Sequence, residues 1–175
     1  MRIIAGQWRG RRLRPVRGKG VRPTTDRVRE SWMAALGDEV ADARVLDLFA
    51  GSGALGLEAL SRGARNVTFV EKARGALTTL SENIFTLEAR DRCTVIRGDA
   101  MAFARKLDPG SFDLALVDPP YHEPYAYELL SLFAEKPFAR TLWVEHCTRE
   151  PMPDLADLRQ RRYGDTTLSI LTRDE

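Results

Sequence analysis

The chain has 175 residues, 43% hydrophobic and 30% charged, which suits one globular domain with a proper core. No apolar run approaches the roughly 20 residues that span a bilayer, and no apolar segment follows the N-terminal arginines. With only two cysteines and two histidines, neither pair at metal-ligand spacing, disulfide frameworks and metal sites are not expected. We expect a cytoplasmic protein without a metal.

The net charge of +2 conceals an uneven distribution. Residues 1–30 carry ten basic and two acidic side chains, a balance of +8, whereas the remaining residues carry 17 basic and 23 acidic ones, a balance of −6. A basic arm on an acidic body predicts a polyanionic partner that meets the arm first.

The first predicted element is a β-hairpin in which extended runs over 2–8 and 11–16 flank Arg9-Gly10. The guanidinium groups of its arginines can each donate two parallel hydrogen bonds to a phosphate. We therefore favour a nucleic-acid-binding surface over a basic surface that is only solvated. Trp8 is able to stack on an unpaired base, although packing on the domain is the better interpretation for it. The residues predicted to contact nucleic acid are Arg2, Trp8, Arg9, Arg11, Arg12, Arg22 and Arg27.

A helix is predicted next, with Thr25 or Asp26 as its N-cap and Gly37 at its end. One face carries Val28, Trp32, Ala35 and Leu36. The charged side chains of its first turns are open either to a ligand or to ion pairing with one another.

The apolar strand Val45–Leu48 leads into a loop with Gly51 and Gly53, and a helix is predicted over Ala54–Arg62. The glycines allow a tight turn and let backbone N–H groups approach a ligand. A strand, a glycine turn and a helix in this order are typical of a nucleotide-binding pocket at the carboxyl edge of a parallel sheet. The glycine pattern alone is weak evidence for such a pocket.

Two further strands are predicted to end in acids. Glu71 closes the strand Asn66–Glu71, at 18 residues beyond Gly53, near the spacing at which a carboxylate binds ribose hydroxyls. A helix follows over Ala73–Leu87. Asp99 lies in a third predicted strand, Cys93–Ala100, where it either accepts from an adenine amino group or caps the next helix.

The fourth strand, Phe112–Val117, runs into Asp118-Pro119-Pro120-Tyr121, where two prolines stiffen the loop. A helix from Pro124, a strand over 141–145 and a hairpin around Gly164-Asp165 complete the pattern. Repeated strand–helix units predict an α/β fold with a Rossmann-like, doubly wound, mostly parallel sheet. We divide the chain near residue 25 into a basic arm, 1–25, and an α/β domain, 26–175.

The chain resembles the class I S-adenosylmethionine-dependent methyltransferases. The resemblance rests on four features that follow one another along the chain: the segment from Asp47 to Gly53, Glu71, Asp99 and the Asp118–Tyr121 tetrapeptide. The tetrapeptide resembles the signature of enzymes that methylate an exocyclic or amide nitrogen. Residues 2–10, 22–30 and 49–63 are similar to the RsmD family, which methylates the guanine N2 amino group in bacterial 16S ribosomal RNA.

The resemblance implies S-adenosylmethionine as cofactor and 16S ribosomal RNA, within the small ribosomal subunit, as partner of a monomeric enzyme. The implied catalytic residues are Asp118, Pro119, Pro120 and Tyr121. The implied cofactor-binding residues are Thr25, Asp26, Asp47, Phe49, Ala50, Gly51, Ser52, Gly53, Glu71, Lys72, Asp99 and Ala100.

Three alternatives stay open. Methylation of adenine N6 in DNA or RNA, or of a protein glutamine, would use the same kind of tetrapeptide. A non-catalytic RNA-binding assembly factor would retain the fold alone. A nicotinamide-dependent oxidoreductase is disfavoured by Asp118–Tyr121 and by the lack of a third glycine at the required spacing.

Overall fold

The computed structural model of the protein describes residues 1–18 and 26–173. The helices are α1 (Asp26–Leu36), α2 (Ala54–Ser61), α3 (Arg74–Thr86), α4 (Ala100–Lys106) and α5 (Tyr125–Glu135). The strands are β1 (Arg44–Leu48), β2 (Asn66–Glu71), β3 (Cys93–Arg97), β4 (Phe112–Val117), β5 (Ala139–Cys147), β6 (Arg159–Tyr163) and β7 (Thr166–Thr172). In the described ranges, no helix has both the length and the apolar character needed to cross a membrane.

The strands form one sheet in the order β3-β2-β1-β4-β5-β7-β6. The first five in this order pair in parallel, and β7 pairs antiparallel with both β5 and β6. The order reverses between β1 and β4, so the sheet has a topological switch point there, where open α/β sheets bind ligands. The predicted fold class, α/β with a Rossmann-like and mostly parallel sheet, is confirmed.

The central strands are apolar because helices cover both faces of the sheet. One face packs against α1, α2 and α3, with Trp32, Leu57 and Leu80 buried there. The other face packs against α4 and α5, where Met101 and Leu129 are buried. The residues predicted to face inward on α5 are all buried: Ala126, Leu129, Leu130 and Phe133.

The arm deviates from the predicted hairpin. Its two runs pair through a single antiparallel bridge between Arg2 and Arg12, flanked by a few backbone hydrogen bonds. Pairing stops there because the amides of Ile4 and Ala5 donate to the Glu58 carboxylate of α2 at 2.9 and 3.1 Å. The arm is therefore a short loop docked on α2 rather than a free ribbon.

Two strand boundaries also differ from the sequence prediction. The third strand ends at Arg97 instead of Ala100, because Asp99 begins α4 as its N-cap and accepts from the Ala102 amide at 2.9 Å. The fifth strand is longer than 141–145, since pairing with β4 extends it back to Ala139 and pairing with β7 extends it to Cys147. The predicted hairpin at Gly164-Asp165 is present as β6 and β7.

Docking of the arm depends on close backbone approach at Gly6. This residue has φ +86, and a Cβ there would lie 1.8 Å from the Ser61 carbonyl oxygen. The amide of Gln7 donates to that same oxygen at 2.9 Å. Gly6 thus lets the arm lie directly on the last turn of α2.

We expect Gly6→Ala to detach the arm. The clash should lower the free energy of unfolding by about 1–3 kcal/mol, the usual cost of overpacking, in addition to the cost of placing alanine in a left-handed backbone conformation. Gly10→Ala is the matched control, since Gly10 has φ +82 but nothing within 4 Å of the added Cβ. Urea unfolding and limited proteolysis of the arm measure the difference. Equal effects of the two variants would contradict the close-contact argument.

Candidate active site

A cavity of about 660 Å³ opens at the carboxyl edge of the sheet. Its walls come from the ends of β1, β2 and β4, from the loops that follow them, and from the arm. Such a volume is typical of small-molecule and cofactor sites. The arm residues in the wall are Met1, Pro15 and Val16, for which sequence analysis assigned no role.

The glycine loop between β1 and α2 forms one wall, and three of its residues have left-handed backbone: Phe49 at φ 57, Gly51 at φ 56 and Gly53 at φ 82. A Cβ on Gly51 would meet no atom within 4 Å. A Cβ on Gly53 would lie 2.3 Å from Leu80, so Gly53 allows the loop to pack against α3. Gly51 therefore serves the turn, and Gly53 serves the packing behind it.

Asp47 lies beneath this loop with only 1% of its surface exposed. One carboxylate oxygen accepts from the Gly56 amide in the first turn of α2 at 2.9 Å. Burial raises the pKa of Asp47 well above its ordinary value of 3.8, and the nearby charges of Asp118 and Glu71 raise it further. This pattern, a desolvated carboxyl in a cavity with other acids, is typical of functional sites.

Glu71 holds the glycine loop in place from the neighbouring strand. Its carboxylate accepts from the Gly51 amide at 2.9 Å and from the amides of Lys72 and Ala73 at 2.8 Å each. It remains part of the cavity wall. The loop and the predicted ribose acceptor are thus one hydrogen-bonded unit.

The loop after β4 faces the glycine loop across the cavity. Asp118, Pro119, Pro120 and Tyr121 all line it. The Tyr121 hydroxyl donates to the buried Glu145 carboxylate at 3.0 Å and lies 3.1 Å from the Thr166 hydroxyl. His122 has φ 65, and its amide donates to Glu150 at 2.6 Å, which fixes the turn that follows.

The structure brings most of the predicted site residues together around this cavity. Those in its wall are Asp47, Phe49, Ala50, Gly51, Ser52, Glu71, Lys72, Ala100, Asp118, Pro119, Pro120 and Tyr121. Gly53 lies behind the loop as N-cap of α2. Thr25 and Arg22 fall outside the described residues.

Asp99 and Asp26 do not line the cavity. The carboxylate of Asp99 caps α4 and lies 3.6 Å from the Lys72 ammonium. The hydrogen bond from the Ala102 amide lowers the pKa of Asp99, with a smaller contribution from Lys72. Asp26 accepts from Arg29 at 3.0 Å. Cofactor contacts for these two acids stay predictions.

The predicted RNA-binding side chains lie on the arm and at the start of α1. Arg2, Arg9, Arg11, Arg12 and Arg27 are exposed. Arg11 donates to the Thr86 carbonyl oxygen at 2.6 Å. Trp8 is half-buried against the core with the Arg92 guanidinium 5.1 Å from its ring centre, an arrangement in keeping with the packing interpretation.

Sequence analysis missed two features near the site. Glu145 ends a predicted strand, as Glu71 does, and that shared position was the available signal. Arg29, one of the first-turn charges left open to a ligand or to ion pairing, pairs with Asp26 but is also fully buried, 3.7 Å from Glu58. Its burial was not predictable from the helix pattern.

Within the described residues, no three or more His, Cys, Asp and Glu side chains cluster in a way that would hold a metal.

The sheet order, the switch-point cavity and the acidic strand ends define a class I methyltransferase fold. The family model described as "Conserved hypothetical protein 95" matches residues 1–172. The chain belongs to this family, the RsmD-type family that the motifs of the sequence indicated.

Similar proteins come from several bacteria. Ribosomal RNA small subunit methyltransferase D of Escherichia coli is 45% identical over 77% of this chain and 67% of its own length. YlbH of Bacillus subtilis is 39% identical over 97% of each chain. The solved structure of yhhF from Escherichia coli is 37% identical with a TM-score of 0.84, covering 99% of this chain and 98% of its own. An RNA methyltransferase from Salinibacter ruber, solved with S-adenosyl-L-homocysteine, shares the fold at 15% identity and a TM-score of 0.64, over 86% of this chain and 92% of its own.

The raised pKa of Asp47 predicts a pH-dependent stability. A carboxyl that holds its proton more tightly when folded contributes stability that is lost as the pH rises above its ordinary pKa of 3.8. Asp47→Asn keeps an acceptor for Gly56 and removes the charge. We therefore expect the variant to gain stability relative to wild type as the pH rises from about 5 to 8, as measured by urea unfolding.

Asp113→Asn is the control with the opposite sign. A hydrogen bond from Arg44 lowers the pKa of Asp113, so its contribution is complete above pH 3.8 and is lost only in stronger acid. This variant should fall below wild type by a constant amount between about pH 5 and 8. A flat difference for Asp47→Asn over the same range would contradict the raised pKa.

Proposed function

We propose that the protein transfers a methyl group from S-adenosylmethionine to the exocyclic N2 amino group of a guanine in small-subunit ribosomal RNA. The observation that carries this is the position of Asp118 and its prolines in the wall of the cavity that the glycine loop also lines. Relatives named ribosomal RNA small subunit methyltransferase D support the substrate. The proposal includes a monomeric enzyme acting in the cytoplasm on the small ribosomal subunit.

The residues of the cavity fit this cofactor. The volume of about 660 Å³ accommodates a nucleoside joined to an amino acid. The carboxylates of Asp47, Glu71 and Asp118 lie around it, and a ligand with a sulfonium and an ammonium group brings positive charge to meet them. The open space beside Gly51 lets the ligand approach the backbone closely.

Each part of the cavity has a distinct binding role in this proposal. The loop from Phe49 to Gly53 holds the methionine portion, and Glu71 with Lys72 holds the ribose. Ala100 contacts the adenine from the cavity wall, and Asp99 accepts from the adenine amino group, although its carboxylate caps α4 outside that wall. Asp47 acts through Gly56 by fixing the first turn of α2, and directly or through water on the ammonium group. When bound, the cofactor supplies an electrophilic methyl group.

Asp118 and Pro119 prepare the acceptor nitrogen. The lone pair of an aryl amine is delocalised into the base, which makes the nitrogen a poor nucleophile. Hydrogen bonds from the amine to the Asp118 carboxylate and the Pro119 carbonyl oxygen reorient that lone pair toward the cavity. Asp118 then stabilises the positive charge that develops on nitrogen, at the place where it develops.

Tyr121 provides a face on which the target base stacks once it has turned out of its helix or loop. Such stacking is worth about 1–3 kcal/mol per base. The hydroxyl of Tyr121 is occupied by Glu145 and Thr166. The ring is consequently the part of Tyr121 that serves the base.

The arm supplies the electrostatic contact with RNA. Its exposed arginines, Arg2, Arg9, Arg11 and Arg12, lie on one short loop whose backbone is docked on α2. Met1, Pro15 and Val16 of the same loop reach the cavity. The same arm therefore carries exposed basic side chains and contributes to the wall of the site. In this proposal, residues 1–25 contact RNA and residues 26–175 form the catalytic domain.

Asp118→Ala should abolish methyl transfer while the protein still binds S-adenosyl-L-homocysteine, because the variant removes the acceptor-side carboxylate and leaves the glycine loop intact. The assay is transfer of labelled methyl from S-adenosylmethionine to small ribosomal subunits, free ribosomal RNA and DNA, followed by nucleoside analysis. We expect N2-methylguanosine from small-subunit RNA. We expect a loss of at least about a hundredfold in kcat, the usual effect of removing a preorganised electrostatic group.

Asp113→Ala is the control, since it removes an aspartate from the other end of the same strand. It should transfer methyl at the wild-type rate. N6-methyladenosine as product would retain the chemistry and overturn the target base. Cofactor binding without transfer to any nucleic acid would overturn the proposed substrate, and a wild-type protein that fails to bind cofactor would be a non-catalytic RNA-binding factor instead.

Arg9→Ala and Arg12→Ala should each weaken RNA binding and reduce the slope of log affinity against log salt by about one, because each removes one phosphate contact. Filter binding between about 50 and 200 mM salt measures the slope. Arg140→Ala is the control: Arg140 is exposed at the amino end of β5 and does not belong to the arm. An equal change for Arg140→Ala would mean that general charge, not the arm, attracts RNA.

A further inference from the structure

Glu145 is a buried acid beside the proposed catalytic loop. It lies near the carboxyl end of β5, one residue after Val144, which pairs with Val117 of β4. The residue after Val117 is Asp118, so the register places Glu145 beside the tetrapeptide. Only 1% of its surface is exposed. A carboxylate so far removed from water requires hydrogen-bond donors to offset its desolvation.

Two of these donors come from different parts of the fold. The Tyr121 hydroxyl donates to Oε1 of Glu145 at 3.0 Å, and the Trp32 indole Nε1 donates to Oε2 at 3.1 Å. Trp32 belongs to α1 and is fully buried, with its ring centre 6.3 Å from that of Trp143 on β5. Glu145 therefore ties the loop after β4 to a helix packed on one face of the sheet.

Thr166 completes the attachment of the Tyr121 ring. Its hydroxyl lies 3.1 Å from the Tyr121 hydroxyl. Because the single hydroxyl proton of Tyr121 is donated to Glu145, Thr166 donates and Tyr121 accepts. The Tyr121 ring is thus held at its tip by β5 and β7 and at its backbone by two prolines. A side chain fixed at both ends has little freedom to rotate.

We propose that Glu145 is a positioning residue that fixes the Tyr121 ring as the platform for the acceptor base. This inference rests on the proposed function. Glu145 acts through Tyr121 and has no contact with the reacting atoms. Its contribution is to set the ring orientation before the base arrives, so that stacking leaves the acceptor amine within reach of Asp118.

A positioning role and an electrostatic role predict different results for Glu145→Gln. The amide oxygen of glutamine accepts from Trp32, its NH₂ group donates to the Tyr121 oxygen, and the Tyr121 hydroxyl turns to donate to Thr166. These three hydrogen bonds are kept, two of them with donor and acceptor exchanged, while the negative charge is lost. Glu145→Ala removes both the charge and the hydrogen bonds.

The experiment measures kcat and KM for methyl transfer to small ribosomal subunits with Glu145→Gln, Glu145→Ala, Tyr121→Phe and the Tyr121→Phe/Glu145→Ala double variant. Binding of S-adenosyl-L-homocysteine and urea unfolding are recorded for each. Trp32→Phe is the matched structural control, since it removes the other hydrogen bond to Glu145 and keeps an aromatic ring at the same place.

We expect Glu145→Ala and Tyr121→Phe each to lower kcat by about tenfold, as a small misplacement does. The double variant should be no worse than either single one, because both break the same unit. Glu145→Gln should stay within about threefold of wild type, and cofactor binding should be unchanged throughout. Trp32→Phe should lower stability and change kcat less than Tyr121→Phe does.

Two kinetic results would overturn the proposal. Glu145→Gln as impaired as Glu145→Ala would assign Glu145 an electrostatic role. Single effects that multiply in the double variant would show that Glu145 and Tyr121 act separately.

A spectroscopic readout separates this inference from the proposed function. The chain has four tyrosines, so protein labelled with ¹³C in its tyrosine rings gives few aromatic signals, and Tyr121→Phe identifies the one from Tyr121. That signal should shift in both variants, and it should shift further in Glu145→Ala, which leaves the ring tip without its partner on β5, than in Glu145→Gln, which keeps that tip hydrogen-bonded. An unshifted signal in Glu145→Ala contradicts the positioning role, whether or not the wild-type protein transfers methyl groups.

Discussion

One buried carboxylate, that of Glu58, holds the N-terminal half of the molecule together. Glu58 has no exposed surface, and it accepts hydrogen bonds from the amides of Ile4 and Ala5 and from the guanidinium of Arg62. The Arg29 guanidinium lies 3.7 Å away and itself donates to the Arg2 carbonyl oxygen. A charge taken out of water is tolerated only when such partners surround it, so the arm, α1 and α2 must come together for Glu58 to be stable in its place.

This arrangement connects the docked arm to the wall of the cavity through one helix, α2. The helix that carries Glu58 is also the helix whose first turn is fixed by Asp47 and whose N-terminus follows the glycine loop. The arm that Glu58 holds provides Met1, Pro15 and Val16 to the cavity wall. Two buried acids therefore set both ends of α2: Asp47 fixes the end beside the cavity, and Glu58, near the opposite end, fixes the side on which the arm lies.

The sequence was sufficient to predict what depends on local pattern. Apolar runs gave β2 and β4 with their observed bounds, and the acids and prolines that follow them located most of the cavity. Patterns of this kind fail where a residue's role is set by a distant partner. The local pattern allowed for the pairing of Arg29 with Asp26 but not for its burial, because nothing nearby indicates Glu58, which is 29 positions further along the chain. The hairpin was overestimated for the same reason, since helix α2 binds amides that would otherwise extend the pairing. Glu145 had a visible signal in its place at a strand end, but its partners Tyr121 and Trp32 are brought to it only by the fold.

The position of β7 has a consequence for how the protein is made. This strand follows the other six in sequence yet lies between β5 and β6 in the sheet, and it supplies Thr166 to the Tyr121 hydroxyl. During synthesis the earlier strands emerge first, and β5, nine residues long and almost entirely buried in the finished protein, is left with an unpaired edge until β7 emerges. An edge of this kind invites pairing with other chains. The nascent protein is thus most prone to aggregate shortly before the site is complete, so a pause in translation between β5 and β7 would lower the yield of folded enzyme without changing any residue.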